Sequence, residues 1–297
     1  MVIVGCPGQG SQTEGFLIPW LEQIVEFKME LEKLSEASGL DLVRLGSSAS
    51  ELEIKDTAIA QPLIVASSIA GFRAGLSNTP ISGVLGHSVG EFAAAAIAGI
   101  LSDDEAITLV KIRGEAMARA AKAEKTSMAA ILGGESGEIQ SKLDELGLSI
   151  ANYNGSGQVV AAGLSSDILR LIENPPERSR VIELKVAGAF HTHFMDSAVP
   201  ELSQAAAKMK PKDPEIAIWS NVDGQLVNSG QDFLDSLVRQ VSSPVRWDAC
   251  MESLPTEPFT FVELPPAGAL AGMVKRAVST ASPVALRKPI DLEKVPA

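Results

Sequence analysis

The sequence contains few cysteines and few positive charges. Its two cysteines, Cys6 and Cys250, are too few among 297 residues for a disulfide-built scaffold or a cysteine-built zinc site. Acidic residues outnumber basic ones by 37 to 25, which gives a net charge of −12. This balance argues against a general nucleic-acid-binding protein, because neutralising phosphates requires clustered lysine and arginine.

Long hydrophobic runs are also missing. The apolar run at 93–101, AAAAIAGIL, is far shorter than the roughly 20 residues that a membrane span needs. The first residues, MVIVGCPGQG, have no basic segment, and their apolar run is too short for a signal peptide. With 45% hydrophobic and 21% charged residues, the composition is typical of a globular protein with a substantial core. We therefore expect a reduced, cytoplasmic protein.

Apolar runs and helical periodicity alternate along the chain. This alternation predicts an α/β protein with a mostly parallel sheet that helices cover on both faces. The predicted strands are 2–6, 81–86, 216–221 and 260–264, and the predicted helices are 19–38, 61–76, 88–98, 102–122, 195–209, 232–241 and 267–279. The polar tail from Pro289 is expected to add little.

The stretch 127–188 has a different rhythm. Its apolar and amphipathic segments follow the order β-α-β-β-α-β, which is the ferredoxin-like unit. We therefore predict a ferredoxin-like domain at 127–188, inserted into a discontinuous larger domain formed by 1–126 and 189–297. A ligand-binding cleft is expected between the two domains.

A candidate nucleophile lies in the segment 86–90, Gly-His-Ser-Val-Gly, which fits the pattern G-x-S-x-G. An apolar strand precedes it and a helix-forming run follows it, the setting of a nucleophile elbow in an α/β-hydrolase-like domain. Ser88 would then project into the cleft, and the N–H of Val89 could hold a developing oxyanion. The alternative is an ordinary serine at a helix N-terminus.

The base for this serine must come from three histidines. His87 adjoins Ser88 and is expected to point away from the cleft. His191 and His193 remain, and a His-x-His pair on a strand could also bind a metal, although no third ligand is apparent. The group that would orient the base is left open: it could be an acidic residue between Ser88 and His191 or a backbone carbonyl.

Two further features have more than one interpretation. The glycine-rich segment 7–12, PGQGSQ, lacks the spacing of a nucleotide-binding loop, so its N–H groups are more plausibly part of an oxyanion hole. Arg113 lies among small and apolar residues of a predicted helix. Its guanidinium could bind a carboxylate, but spacing alone favours an ordinary exposed arginine.

Taken together, these motifs resemble those of malonyl-CoA:acyl-carrier-protein transacylases, and of the related acyltransferase domains of fatty-acid and polyketide synthases. The resemblance extends from Val4 to about Val278. The segments that carry it, in order, are 7–12 (PGQGSQ), 61–62 (QP), 86–91 (GHSVGE), 113–117 (RGEAM), 152–154 (NYN), 189–191 (AFH) and 237–240 (LVRQ). The chain departs from the family at 264–268, LPPAG, where relatives have Gly-Pro-Gly.

The resemblance implies a role for each matching residue. Ser88 would be the acylated nucleophile and His191 its base, with the imidazole oriented by the carbonyl of Gln240. Backbone N–H groups of Gln9 and Val89 would form the oxyanion hole. Arg113, Met117 and Phe190 would form the substrate pocket.

The resemblance also implies the reaction and its partners. A malonyl group would pass from malonyl-CoA to the phosphopantetheine thiol of acyl carrier protein, with no metal, redox cofactor or nucleotide, nucleic acid or membrane involved. Because the carrier protein is usually acidic, a basic patch of Lys275, Arg276, Arg287 and Lys288 is a candidate docking surface. The alternatives are a serine esterase or thioesterase, an acyltransferase serving polyketide synthesis, and a non-catalytic binding module.

Overall fold

The computed structural model describes residues 1–296. Within them, strands and helices alternate along most of the chain. The strands are β1 (Val2–Cys6), β2 (Gly83–Gly86), β3 (Thr126–Gly133), β4 (Ser149–Gly155), β5 (Gln158–Leu164), β6 (Ser179–Glu183), β7 (Ile218–Trp219), β8 (Val245–Arg246), β9 (Phe259–Glu263) and β10 (Ala281–Ala285). The α-helices are α1 (Ile18–Gln23), α2 (Val25–Ser38), α3 (Leu42–Ser47), α4 (Glu51–Lys55), α5 (Thr57–Gly75), α6 (Gly90–Ile97), α7 (Asp103–Ala120), α8 (Ser136–Leu146), α9 (Ser165–Glu173), α10 (Val199–Ala206), α11 (Gly230–Arg239), α12 (Trp247–Glu252) and α13 (Ala269–Ala277). Short 3-10 helices span His193–Ala198, Gln240–Ser242 and Pro289–Lys294.

The first sheet is parallel throughout and has the strand order β10-β9-β1-β2-β7. Strands β1 and β2 are adjacent, with Cys6 opposite Gly86 at their carboxyl ends. Helix α5 is buried along most of its length, in keeping with its mainly apolar and small residues. The predicted α/β fold with a parallel sheet is confirmed.

The second sheet has the order β6-β3-β5-β4-β8. Its first four strands pair antiparallel, and β8, which comes from much later in the chain, adds parallel to β4. Helices α8 and α9 pack on this sheet around a separate apolar cluster that includes Ile131, Leu143 and Ile168. The segment predicted as an insert therefore has its own core, while β8 ties its sheet to the rest of the chain. The last residue of the predicted larger domain, 297, lies outside the described residues.

The structure divides the predicted helix 19–38 into two. Ile24 is extended, with φ −127° and ψ 105°, and separates α1 from α2. Residues seven positions apart in one straight helix are separated by about 10 Å along its axis. The break instead brings the rings of Trp20 and Phe27 to 5.2 Å, and both are buried. Tertiary packing therefore overrides the helical periodicity.

Other boundaries also differ. Helix α5 begins at Thr57 rather than near 61, because the side chain of Asp56 caps it by accepting the N–H of Ala58. The predicted helix 195–209 is a 3-10 turn followed by α10. The tail from Pro289 contributes more than expected, because Leu292 packs against the main core. Strand β10, which precedes the tail and was not predicted, forms an edge of the first sheet.

Candidate active site

Ser88 lies on a sharp turn between β2 and α6. Its φ is +53°, in the left-handed region that costs a non-glycine residue free energy. The neighbouring glycines make the turn possible: a Cβ at Gly86 would lie 2.2 Å from the Glu91 nitrogen, and one at Gly90 would lie 2.2 Å from the Cys6 oxygen. Side chains at these positions would therefore force the elbow open.

His191 is in contact with this serine. Its Nε2 lies 2.7 Å from the Ser88 Oγ, and its Nδ1 lies 2.8 Å from the backbone oxygen of Gln240. Because a carbonyl can only accept, Nδ1 carries the proton and Nε2 is free to accept the hydroxyl proton. Within residues 1–296, no carboxylate is hydrogen-bonded to His191. His191 itself has a φ of +61°, so both members of the pair occupy strained backbone positions.

The environment of His191 favours the neutral imidazole. Burial and the positive charge of Arg113 lower the pKa of His191 to about 3, against the opposing effect of the Gln240 carbonyl. At neutral pH the ring is therefore unprotonated, as a general base must be.

The other two histidines have different surroundings. His193 is exposed, and the segment around it is a turn leading into a 3-10 helix, so the expected His-x-His strand is wrong. His87 lines the cleft, contrary to expectation, with its Nε2 3.2 Å from Asn154 Oδ1 and its ring against Trp247. Since His87 pairs with Asn154 rather than Ser88, it is not placed to act as the base.

Gln9 and Val89 are the residues whose backbone N–H groups are expected to form the oxyanion hole. Gln9 follows β1, and Val89 follows Ser88 at the end of the adjacent strand β2. Both residues line the cleft, and within residues 1–296 neither N–H donates to a protein acceptor. Loops at the carboxyl ends of neighbouring parallel strands meet in this way. The two free donors form a candidate oxyanion hole.

Arg113 is buried, with 1% of its surface exposed, so the ordinary exposed arginine that spacing favoured is wrong. Its two terminal nitrogens donate to amide oxygens, Nη1 to Gln61 at 2.7 Å and Nη2 to Gln240 at 3.0 Å. Its Nε has no partner within the described residues. Burial lowers the pKa of Arg113 to about 10, which leaves it charged at neutral pH. The nearby Glu91 carboxyl stabilises the charge, but the hydrogen-bond partners of the guanidinium are neutral amides. A buried cation with an unpartnered N–H is suited to an anionic ligand.

The cleft that contains these groups has a volume of about 400 Å³. Met117 and Phe190 line it, with Phe190 directly before His191. The second sheet supplies one wall, and helix α13 supplies another. All the residues expected to hold the substrate or the oxyanion therefore line one cleft, and Gln240 lies behind it.

Sequence reasoning assigned no role to two residues at the centre of the site. Asn221 accepts the Ser88 N–H on Oδ1 at 2.7 Å and donates from Nδ2 to the Gly86 oxygen at 2.8 Å. Glu91 accepts the backbone N–H of Asn221 at 2.7 Å and the side-chain N–H of Gln240. Burial raises the pKa of Glu91, whereas the N–H groups of Asn221 and Gln240 and the nearby positive charge of Arg113 lower it. Asn221 follows β7, which pairs with β2 in the first sheet. The adjacency of these two strands is the signal that could have placed Asn221 beside Ser88.

Comparison with known proteins decides the family. Residues 4–290 match the model of the acyl transferase domain. This chain belongs to the acyl transferase domain family. Two curated relatives named malonyl CoA-acyl carrier protein transacylase support the assignment. The protein of Mycobacterium tuberculosis strain H37Rv is 45% identical over 99% of both chains, and that of Bacillus subtilis strain 168 is 32% identical over 97% of this chain and 93% of its own. The resemblance stated from the sequence is confirmed.

Solved structures give the same result for the acyl transferase domain. A crystal structure of MCAT from Mycobacterium tuberculosis has a TM-score of 0.93 at 44% identity, covering 99% of both chains. A type II PKS acyl-carrier protein in complex with its malonyl-transacylase contains a chain with a TM-score of 0.90 at 28% identity, covering 99% of this chain and 97% of that one.

Across residues 1–296, no three histidine, cysteine or acidic side chains are grouped closely enough to hold a metal ion. In the same part of the chain, no helix combines the length and the apolar character needed to cross a bilayer.

Proposed function

We propose that this protein transfers the malonyl group of malonyl-CoA to the phosphopantetheine thiol of acyl carrier protein, supplying extender units for fatty-acid synthesis. The observation that carries the proposal is the buried guanidinium of Arg113, which shares one cleft with the Ser88–His191 pair. A nucleophile, a base and a buried guanidinium with an unpartnered Nε together suit an acyl group that ends in a carboxylate. The names of the relatives point to the same reaction.

The first half-reaction acylates the serine. His191 Nε2 takes the hydroxyl proton as Ser88 Oγ attacks the thioester carbonyl carbon of malonyl-CoA, and the N–H groups of Gln9 and Val89 stabilise the resulting oxyanion. The carbon–sulfur bond then breaks, and the imidazolium returns its proton to the CoA thiolate. The products are free CoA and malonyl-Ser88.

The second half-reaction reverses these steps with a new thiol. His191 takes the proton of the phosphopantetheine thiol, and the sulfur attacks the malonyl-serine ester. Collapse of the tetrahedral intermediate breaks the carbon–oxygen bond and returns the proton to Ser88 Oγ. The chemistry is balanced without a metal, redox cofactor or nucleotide, so we propose that none is required.

The acyl group would be recognised in the part of the cleft that Arg113, Met117 and Phe190 line. The malonyl carboxylate would accept two N–H groups from Arg113, including the unpartnered Nε. Phe190 and Met117 would pack beside the α-carbon and restrict branched acyl groups. The enzyme would thus select its substrate by charge and by volume.

We further propose that residues 1–126 and 189–297 form an α/β-hydrolase-like domain and that 127–188 form a ferredoxin-like insert. The antiparallel strand order β6-β3-β5-β4 supports the second assignment, because the four strands of such a unit are ordered 4-1-3-2. A cytoplasmic location is consistent with Cys6 and Cys250 being buried free thiols.

The carrier protein would dock on the basic patch of Lys275, Arg276, Arg287 and Lys288. All four side chains are exposed, and Arg276 also lines the mouth of the cleft. Lys275, Arg287 and Lys288 border an adjoining surface cavity of about 550 Å³. The patch therefore offers positive charge next to the opening through which a phosphopantetheine arm would enter.

The experiment that tests the function is mass spectrometry of the protein after mixing with malonyl-CoA. We expect one malonyl group, located on Ser88 by peptide mapping, that persists in water and leaves when acyl carrier protein is added. Rapid hydrolysis would instead indicate a thioesterase, and the absence of any adduct would indicate a binding module. Comparing carriers from fatty-acid and polyketide systems would identify the pathway.

A further inference from the structure

Glu91 is a buried carboxyl group that the transfer steps above do not use. It lies on α6, three residues after Ser88, and its side chain is fully enclosed. Each of its oxygens accepts one N–H group: Oε1 accepts the backbone N–H of Asn221 at 2.7 Å, and Oε2 accepts the side-chain N–H of Gln240. Both oxygens therefore act as acceptors, as in an ionised carboxylate, and the nearby positive charge of Arg113 also favours the ionised form.

The contact with Gln240 fixes which way its side-chain amide points. A primary amide has one donor end and one acceptor end. The donor end, Nε2, faces Glu91 and also lies 3.2 Å from the Ser88 backbone oxygen. The acceptor end, Oε1, must therefore face the opposite way, where it accepts the Arg113 Nη2 at 3.0 Å.

We propose that Glu91 is a positioning residue that gives the enzyme its preference for an acyl group ending in a carboxylate. By accepting an N–H from Gln240, it holds the Gln240 oxygen against Arg113 and so fixes the guanidinium in the cleft. This inference rests on the proposed function, because it assumes that Arg113 binds the free carboxylate of malonyl-CoA.

The substitution Glu91→Gln separates this role from simple space filling. The two groups that face Glu91 both donate, and a glutamine offers one acceptor and one donor. Either the Asn221 N–H loses its acceptor or the Gln240 amide turns over and presents its NH₂ group to Arg113. A turned amide places donor against donor, so the guanidinium loses one of its two anchors.

The readout is the ratio of kcat/KM for Ser88 acylation by malonyl-CoA to that by acetyl-CoA, which lacks the carboxylate. Glu91→Gln is expected to lower this ratio about tenfold, mainly through KM for malonyl-CoA. Glu263→Gln is the matched control. Glu263 is also buried and accepts two backbone N–H groups, from Leu270 and Ala271, but it has no contact with Gln240 or Arg113. Its substitution should leave the ratio unchanged.

A double-mutant cycle shows whether Glu91 acts through the Gln240 amide. Gln240→Met removes that amide but keeps the backbone carbonyl that orients His191, and it should lower the same ratio. In the Gln240→Met background, Glu91→Gln should have no further effect on the ratio. Should Glu91→Gln fail to fold, Gln240→Met alone still tests whether the amide positions Arg113.

Three results would overturn the inference. One is an equal loss of malonyl and acetyl transfer in Glu91→Gln. Another is a fall in the ratio on Glu91→Gln substitution that is as large in the Gln240→Met background as in the wild type. The third is an unchanged ratio in Gln240→Met. A wild-type protein that forms no malonyl-Ser88 would contradict the proposed function itself, which is a separate outcome.

Discussion

The two ends of the cleft hold their key side chains in different ways. At the nucleophile end, Ser88 and His191 both occupy left-handed backbone positions, and a backbone carbonyl orients the imidazole. At the Arg113 end, the arginine projects from a regular helix, and two side-chain amides hold its guanidinium. One end is thus fixed by the main chain and the other by side chains.

This difference indicates which end can be altered without loss of the chemistry. Substituting side chains cannot remove the carbonyl that orients His191, whereas the amides of Gln61 and Gln240 can be changed individually. Gln240 belongs to both ends, because its carbonyl holds the base and its side chain holds the guanidinium. We therefore expect substitutions at the two ends to have separable effects on rate and on selectivity.

The largest effect is expected from removing the nucleophile or its base. Ser88→Ala should abolish acylation, and His191→Ala should slow it by about 10⁴-fold for malonyl-CoA and acetyl-CoA alike. Rapid-quench measurement of the acyl-enzyme gives both rates. The control is His193→Ala, which removes an exposed imidazole two residues away. If His193→Ala proved as damaging as His191→Ala, the assignment of the base would be wrong.

A smaller and selective effect is expected at the other end. Arg113→Ala should reduce kcat/KM for malonyl-CoA by about 10- to 100-fold, the worth of a charge-assisted hydrogen-bonded pair, and change acetyl transfer much less. Arg119→Ala, on the exposed surface of the same helix, is the matched control. Equal losses of malonyl and acetyl transfer in Arg113→Ala would refute a carboxylate-binding role.

The pH dependence of acylation tests the environment of the base. The base is active when unprotonated, so activity falls as the pH drops through its pKa. Because burial and Arg113 lower the pKa of His191 to about 3, acylation by malonyl-CoA should stay nearly constant from about pH 7.5 to about pH 5. An ordinary imidazole would lose half its activity near pH 6.5. Circular dichroism at each pH would confirm that the protein remains folded, and a half-maximal rate near pH 6.5 would contradict this account.

The smallest effect is expected at the basic patch beside the mouth of the cleft. Arg276→Glu should slow transfer to acyl carrier protein several-fold at low salt and should leave transfer to a free pantetheine thiol nearly unchanged. Added salt should reduce the difference between Arg276→Glu and wild type. A loss of the same size with both acceptors would place Arg276 in the chemistry of the cleft rather than in docking.

Local sequence signals predicted much of the framework. The predicted helix 102–122 corresponds to α7, which opens with a capping box between Ser102 and Glu105, a signal that depends only on residues three positions apart. The elbow was predictable for the same reason, since its glycines adjoin Ser88. The break at Ile24 was not, because the packing around it includes a distant segment: Trp20 Nε1 donates to the Arg287 backbone oxygen at 3.3 Å.

The polar network behind the site was the least predictable part. Asn221 and Glu91 are 130 residues apart, and each alone is typical of a solvated loop or helix face. The fold buries both residues, and a hydrogen bond between them supplies each with a polar partner. His87 was misjudged for a related reason: Asn154 of the second sheet provides a partner that holds it in the cleft.

A crystal structure of the malonyl-enzyme would test the central claim directly. We predict an ester on Ser88, with its carbonyl oxygen about 2.7–3.1 Å from the amide nitrogens of Gln9 and Val89 and its free carboxylate on the Arg113 guanidinium. A malonyl group on another residue, or a carboxylate that points out of the cleft while Arg113 keeps only its two amide partners, would contradict the account.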